Sequence, residues 1–498
     1  MSEQATAPAG LPSDGRVLVL GASGYIGRHL VPHLRDRGVP VRAAGRRLSA
    51  LQAERWENVE LVQADALDPD SLARALKGVS VAYYLVHSMA AGADFPEQDR
   101  RAARVFAQAA AEAGVQRIVY LGGLSPANPD TPHLASRVET GEILRQGRVP
   151  VIEVRAGIII GPGSAAFEVM RDLVAHLPVM VTPRWVRRKS PPIALDDILA
   201  YLAQLPWIPA AADGIYEAGG PENLTYEEMM RMLAREMGKR EPFVIPVPVL
   251  TPQLSSYWLA FVSATPVRIA RALITGLKYD LSADDRSLRA LLPPARIDFR
   301  EAIRGVFRDE QEIHAVDRWR EGAWELRGRR HDISFYAKTL TRTAETDAPP
   351  AAVWDVLGDM GTRGTGYFYL NPVWRIRKSL DAMLGGRPAG PSTRRGAPYA
   401  GERFDIWRVL AAVPERRLTL LSSLVAPGTG GMEVEIAERA DGGSRVSATI
   451  YWHVVGFRGL LYWYALGPGH AFMLAGMTRA IARQAAARAA SAGQGARA

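Results

Sequence analysis

The chain contains no cysteine. That absence excludes a disulfide scaffold, a thiolate-bound zinc or iron–sulfur centre, and a cysteine nucleophile. It also lacks a strong excess of one charge, since 61 Lys and Arg stand against 52 Asp and Glu, a balance of +9 over 498 residues. Such a balance implies only mild attraction to anionic ligands, and no recognised nucleic-acid module accompanies it, so no nucleic-acid partner is expected. The opening MSEQATAPAGLPSDG has acid but no apolar core. It reads as a loose tail over 1–15 rather than a signal peptide, and a cytoplasmic location is expected. What remains is ordinary for a folded protein, 48% apolar and 23% charged, and at roughly 150 residues per domain the length suggests about three folding units, or two with one of them large.

Residues 16–161 alternate the apolar runs RVLVLGA, VPVRAAG, VELVQAD, VSVAYYLV, RIVYLGG and VPVIEVRAGIII with amphipathic segments. Almost unbroken Val, Ile and Leu mark strands buried on both faces. The clearest helix, DRRAARVFAQAAAEAG, ends in a Gly where a C-cap would sit. Repeated strand–helix–strand units predict an α/β domain with a doubly wound parallel sheet. Residues 162–330 lose that rhythm. Prolines cluster in SPPIALDD and EPFVIPVPVLTPQ and helical stretches dominate, which predicts an irregular cap at the ligand edge of the sheet. After residue 330 the period-two pattern returns, strongest in MEVEIAERADGGSRVSATIYWHVV, a hairpin around Asp441-Gly442-Gly443. The last stretch reads as one long helix broken near Gly467-Pro468-Gly469. An α+β unit over 331–490, a curved antiparallel sheet wrapped on a C-terminal helix, fits this order, with a tail at 491–498.

Directly after the first strand stands Gly21-Ala22-Ser23-Gly24-Tyr25-Ile26-Gly27. The first Gly permits a tight turn, the second lets backbone approach a pyrophosphate, and the third packs helix on strand. Helix N-terminal amides, here those around Tyr25 and Ile26, then meet the phosphates, with Ser23 able to add a hydroxyl donor. A strand before and a helix after give the triplet the context it needs. An NAD site wants a carboxylate roughly 20 residues after the glycines. No Asp or Glu lies between Gly38 and Ala53, and the second strand ends in Gly45-Arg46-Arg47. Two guanidiniums suit a 2′-phosphate, so NADP is expected ahead of NAD; the alternative is that both are merely solvated. Asp65, with Ala66 beside it, is placed to accept from an adenine amino group. Val86, His87 and Ser88 would flank the nicotinamide half. Each is equally open to reading as an ordinary loop residue.

GASGYIG, the Arg pair, the Asp65 position and RAGIIIGPG together resemble the short-chain dehydrogenase/reductase superfamily, and most closely its atypical, NmrA-like branch related to nucleoside-diphosphate-sugar epimerases. The resemblance covers roughly residues 16–300 and implies a Rossmann fold and a nicotinamide cofactor, without naming a substrate. The final third resembles a START-like, helix-grip (SRPBCC) domain, through FDIWRV and LLYWYALGPGH. Members of the superfamily carry a proton-donating Tyr, a Lys four residues on and a nearby Ser. The corresponding stretch here, LGGLSPANPDTPHLASRVETGEILR, has His133 and Arg137 at that spacing and Ser125 upstream. His133 is a candidate general acid, since imidazole titrates near working pH. Ser125 would polarise the substrate and Arg137 hold ribose or substrate. The competing reading makes His133 a helix cap and pairs Arg137 with Glu139 or Glu142 on the surface.

Other constellations are weaker. His29 and His33 share metal-like spacing without a third ligand, so no metal site is expected. Arg184 to Lys189 is a basic run best read as a solvated loop, and Asp196 and Asp197 suit a helix N-terminus. From Gly459 to Thr478 nothing is charged apart from His470, and Arg479, Arg483 and Arg488 follow without an acid. A helix lining an apolar cavity and peripheral membrane contact both fit that pattern. Of 39 aromatic residues, 17 fall after Arg330, which supports the cavity. The expected function is an NADP(H)-dependent oxidoreductase acting on a small hydrophobic substrate of lipid, isoprenoid or quinone type. The alternatives are a non-catalytic NADP(H)-binding redox sensor and, by fold analogy, a sugar-nucleotide epimerase or dehydratase.

Overall fold

A computed structural model describes residues 15–87, 95–126, 129–211, 213–247, 259, 261–265, 279–292, 296–312, 336–393 and 396–495. Its contacts divide the chain into two units: Met1–Val174 with Pro178–Asp309, and Ala175–Leu177 with Glu310–Ala498.

In the first unit seven strands form one sheet: β1 (Arg16–Leu20), β2 (Val41–Gly45), β3 (Glu60–Gln63), β4 (Val79–Tyr84), β5 (Arg117–Gly123), β6 (Val151–Ala156) and β7 (Gly214–Ala218). Their order is β3-β2-β1-β4-β5-β6-β7 and every pairing is parallel. The helices that frame the site include α1 (Tyr25–Arg35), α2 (Leu48–Gln52), α3 (Pro69–Leu76), α4 (Phe95–Glu112), α5 (Pro132–Arg145) and α6 (Leu195–Gln204). Strand side chains alternate between faces, and β1 shows the result. Val17 and Val19 join Leu30 and Leu34 of α1 and Ile198 and Leu202 of α6 in one core. Leu18 and Leu20 join Leu72 and Leu76 of α3 and Phe106 of α4 in the other. This is the doubly wound, Rossmann-type sheet that the unbroken apolar runs predict. The strand order reverses between β1 and β4, and the crevice beyond their carboxyl ends is where such sheets hold ligands.

Two elements fall outside the expected plan. β7 and α6 come from the stretch read as a cap, so that stretch also completes the sheet and covers one face. GIYEA escaped notice because an outer strand keeps one edge and part of one face wet, with Ile215 exposed beside buried Tyr216. Its apolar run is therefore short and broken.

Among its described residues the second unit holds six antiparallel strands: β8 (Lys338–Thr346), β9 (Arg403–Phe404), β10 (Trp407–Val413), β11 (Arg417–Ser422), β12 (Gly428–Glu438) and β13 (Ser444–Val454), in the order β8-β13-β12-β11-β10-β9. β12 and β13 form the expected hairpin, closed by an Arg439 amide donating to Gly443 O at 2.8 Å and by Gly442 at φ +81°. The helices here are α7 (Pro350–Gly358), α8 (Asn371–Met383) and α9 (Gly456–Gly495). Val353 and Leu357 of α7 and Leu474, Met477 and Ile481 of α9 share a core with Val434 and Val446 of the sheet. The expected break at Gly467-Pro468-Gly469 is absent, and α9 runs through it. Proline removes one donor there, but the two flanking glycines have open space beside them, so nothing forces the chain aside. Among the described residues no helix is long and apolar enough to cross a membrane.

Leu30 is wholly buried between α1 and the sheet. Leu30→Ala should cost about 2–5 kcal/mol, read as a lower urea midpoint; an unchanged midpoint would contradict the packing described.

Candidate active site

The turn after β1 takes its shape from Gly21, whose φ is +90°. A Cβ on that residue would stand 2.7 Å from the carbonyl oxygen of Leu85, beyond β4, so only glycine lets the two strand ends approach this closely. Gly27 packs directly on Gly21 and Ala22. Gly24 is the exposed N-cap of α1, with extended backbone and no side chain capping the helix. The amides of the first turn are thus left to an anion or to water. Ile26 packs against the core, and Tyr25 sets its hydroxyl against Gly161 and its ring edge-on to His29 at 5.1 Å. Those two residues therefore offer the turn their backbone rather than their side chains. Ser23 is half-buried beside Gly45.

Arg46 and Arg47 are both exposed at the end of β2, and among the described residues neither has an ion-pair partner. Gln63 Nε2 donates to the Arg46 carbonyl at 3.1 Å, fixing the backbone that carries them. Asp65 accepts the Leu67 amide at 3.0 Å while its own amide donates to Ser71 Oγ at 3.0 Å, so it also builds the turn into α3. Ala66 is buried, and Val86 is half-buried against the adjoining core. Ser88 lies outside the described residues. His29 Nδ1 lies 2.8 Å from the Tyr25 carbonyl oxygen, and no group of metal-ligand type gathers among the described residues.

His87, after β4, and His133, in the first turn of α5, meet directly. His87 Nε2 lies 3.1 Å from His133 Nδ1, with ring centroids 5.1 Å apart. The other nitrogen of His87, Nδ1, is 2.9 Å from Oδ2 of Asp99 on α4. Asp99 is only 3% exposed and also accepts from Ser136 Oγ at 2.9 Å. The result is a continuous chain, Asp99–His87–His133. Two residues expected to act separately are one unit, anchored by an acid the sequence reading passed over. Its signal was there: Asp99 falls in helical register with buried Ala102, Ala103, Phe106 and Ala110, an acid on an apolar face.

The alternative cap reading of His133 is overturned. Thr131 caps α5, its hydroxyl accepting the Leu134 amide at 3.4 Å. Arg137 does not lie on the surface with Glu139 either; Glu139 pairs with Arg100 at 2.8 Å. Instead Arg137 turns inward, Nη2 donating to the Leu121 carbonyl at 2.7 Å, and its buried Nε has no hydrogen-bond partner among the described residues. Ser125 Oγ is likewise buried and unpartnered. The Arg137 charge acts on His133, so its orphaned donor lies by the histidine pair, where a polar ligand can answer it.

Burial is the main force on both imidazoles. It lowers the pKa of His87, against the opposing bond to Asp99. His133 is held at about 3, by burial first, then by the charges of Arg137 and His87. A carboxylate facing His87 Nδ1 requires a proton there. A neutral pair then has one further proton, shared between the rings, which leaves His133 Nε2 a bare lone pair when that proton sits on His133. A protonated pair directs an N–H outward from His133 Nε2. The chain can accept or donate a proton at one atom.

A family model described as the NmrA-like family matches residues 13–262, and one described only as a protein of unknown function, DUF2867, matches 334–477. The fold is that of a dinucleotide-type Rossmann protein. The chain belongs to the NmrA-like family. It is 29% identical over 239 residues to a ceramide reductase of Caulobacter vibrioides, covering 47% of this chain and 74% of that one. It is 36% identical over 118 residues to a 3 beta-hydroxysteroid dehydrogenase/Delta 5-->4-isomerase of Mycobacterium tuberculosis, 21% of this chain and 31% of that one. Among solved structures it is similar to the Citrobacter sp. triphenylmethane reductase complexed with NADP(H), at 19% identity and a TM-score of 0.48, over 58% of this chain and 99% of that one.

The unfolded His133 imidazole takes a proton near 6.5, whereas in the fold it resists until about 3. Its burial thus supports the fold fully above pH 6.5, and the support is lost as pH falls toward 3. Thermal melts should show falling stability across that window, with a shallower slope in His133→Gln; identical slopes would refute the buried placement.

Proposed function

We propose that the protein is an NADP(H)-dependent oxidoreductase acting on the carbonyl or alcohol of an apolar compound, with His133 exchanging the substrate proton. The observation that carries this reading is the Asp99–His87–His133 chain at the carboxyl edge of the sheet, beside the reversal of strand order. When bound, the dinucleotide supplies or takes up the hydride. The amides opening α1 would hold its diphosphate, and Arg46 and Arg47 the 2′-phosphate. Relatives named for ceramide and for a steroid support an apolar substrate.

The direction of proton flow follows from the chain of groups. In reduction a protonated pair gives up the proton on His133 Nε2, the shared proton moves from His87 to His133, and Asp99 stabilises the charge before transfer. In oxidation the bare Nε2 accepts from the alcohol and the shared proton moves back. His133 is the catalytic residue in this scheme. His87 and Asp99 are positioning residues that act through it. Arg137, whose charge opposes protonation of His133, sharpens the acid.

The experiment is calorimetry with NADPH and NADH, followed by turnover on long-chain, steroidal and quinone carbonyl compounds. Arg46→Ala with Arg47→Ala should weaken NADPH roughly ten- to a hundredfold, the worth of a charge-assisted bond or two, and leave NADH unchanged. Equal losses for both cofactors would refute the phosphate assignment.

His133→Ala should lower kcat about 10²–10⁴-fold with cofactor affinity intact. Reductive turnover should fall as pH rises and oxidative turnover should rise, and Asp99→Asn should move both limbs to lower pH. Tight NADPH binding with no turnover, unaffected by His133→Ala, would instead support the redox sensor.

A further inference from the structure

In the second unit, α8 turns an apolar stripe to solvent. Val373, Ile376, Leu380 and Met383 recur at intervals of three and four, one helical face, and Ile376 and Met383 are 69% and 83% exposed. The first half of α9 does the same with Phe457, Leu461 and Phe472. The two helices adjoin, because Tyr369, just before α8, meets Phe472 edge-on at 5.8 Å. Scattered exposed apolar residues need no explanation, but two adjoining stripes are an interaction surface.

Charge decides what covers it. α9 has no acidic residue from Gly456 to Gly495 and carries Arg458, Arg479, Arg483 and Arg488, the last paired with Asp359. α8 carries Arg375, Arg377 and Lys378, of which Lys378 pairs with Asp405 inside the chain, and its one acid, Asp381, is wholly buried and accepts the Val425 amide at 2.7 Å. Among the described residues neither Arg377 Nη1 nor His470 Nδ1, both buried, has a hydrogen-bond partner, and the charge of Arg377 acts on His470. Donors of that kind, set where two apolar stripes join and answered by no carboxylate among the described residues, call for an anion from outside the chain. Apolar side chains for acyl tails beside cationic donors for phosphate is the chemistry of an anionic bilayer surface.

We propose that α8 and the first half of α9 dock on anionic phospholipid membranes, inserting Ile376, Met383 and Phe472 and setting Arg377 and His470 against a lipid phosphate. This goes beyond the oxidoreductase reading and does not depend on it. The test is flotation of the full chain with vesicles of phosphatidylcholine alone and of phosphatidylcholine with phosphatidylglycerol. The protein should float with the anionic vesicles and be released by salt. Ile376→Glu with Met383→Glu should weaken binding at least about tenfold, and Arg377→Gln should weaken it toward anionic vesicles selectively. Cofactor affinity, measured on the same preparations, should stay unchanged in all. No flotation with either vesicle, or a concentration-dependent dimer that the glutamate pair dissolves, would overturn the proposal, the latter by making a second copy the occupant.

Discussion

The close approach of two backbone segments governs the candidate active site. Gly21 and the Leu85 carbonyl lie nearer than any side chain would allow, and the Leu85 amide donates to Leu20 O at 3.0 Å. This contact sits at the reversal of strand order. It brings the phosphate-type turn after β1 and the loop bearing His87 to the same crevice. A larger residue at Gly21 would need both positive φ and a displaced β4, two costs at one position. Everything placed at that edge, from the open amides of α1 to the histidine pair, inherits its position from there.

Electrostatics at the crevice follow from where water is excluded. Asp99 enters a core-facing helix surface among alanines, where a bare carboxylate is costly. Ser136 and His87 supply the donors that make it tolerable. The consequence passes along the chain: with Asp99 fixing the proton on His87 Nδ1, the tautomer of His133 is set from behind. A phenol lowered by an ammonium and an imidazole backed by imidazole and carboxylate are different solutions to one requirement, a proton held ready at one atom. Arg137 stands at the lysine position of the resembled pattern. It cannot be neutralised, so it holds the Leu121 carbonyl and biases the pair toward losing its proton rather than gaining one.

The parallel sheet was legible because its inner strands are buried on both faces and so leave nearly unbroken runs such as VLVL and VSVAYY. The outer strand Gly214–Ala218, half wet, left no such run. The glycine turn was legible because each glycine answers a different steric demand at fixed spacing. His87 and His133 were each visible as candidates, but 46 residues separate them, and no local pattern says that α5 returns to the end of β4. Asp99 could have been suspected from helical register alone. The break imagined at Pro468 failed because proline disrupts a helix only as far as neighbours demand, and α9 has open space beside it there.

The same reasoning separates the two apolar features of the second unit. Its core is closed: Phe404, Leu418, Leu420 and Val434 have no exposed surface, and the helices that cover them gain by staying in place. The outward stripes of α8 and α9 gain nothing from folding, since they face water in the folded chain as they would in the unfolded one. Residues such as Met383 and Ile376 are costly to leave exposed together, and the fold offers no internal reason for them. A surface that stability does not require, rimmed by cations and free of exposed acid along both helices, is explained by what it meets.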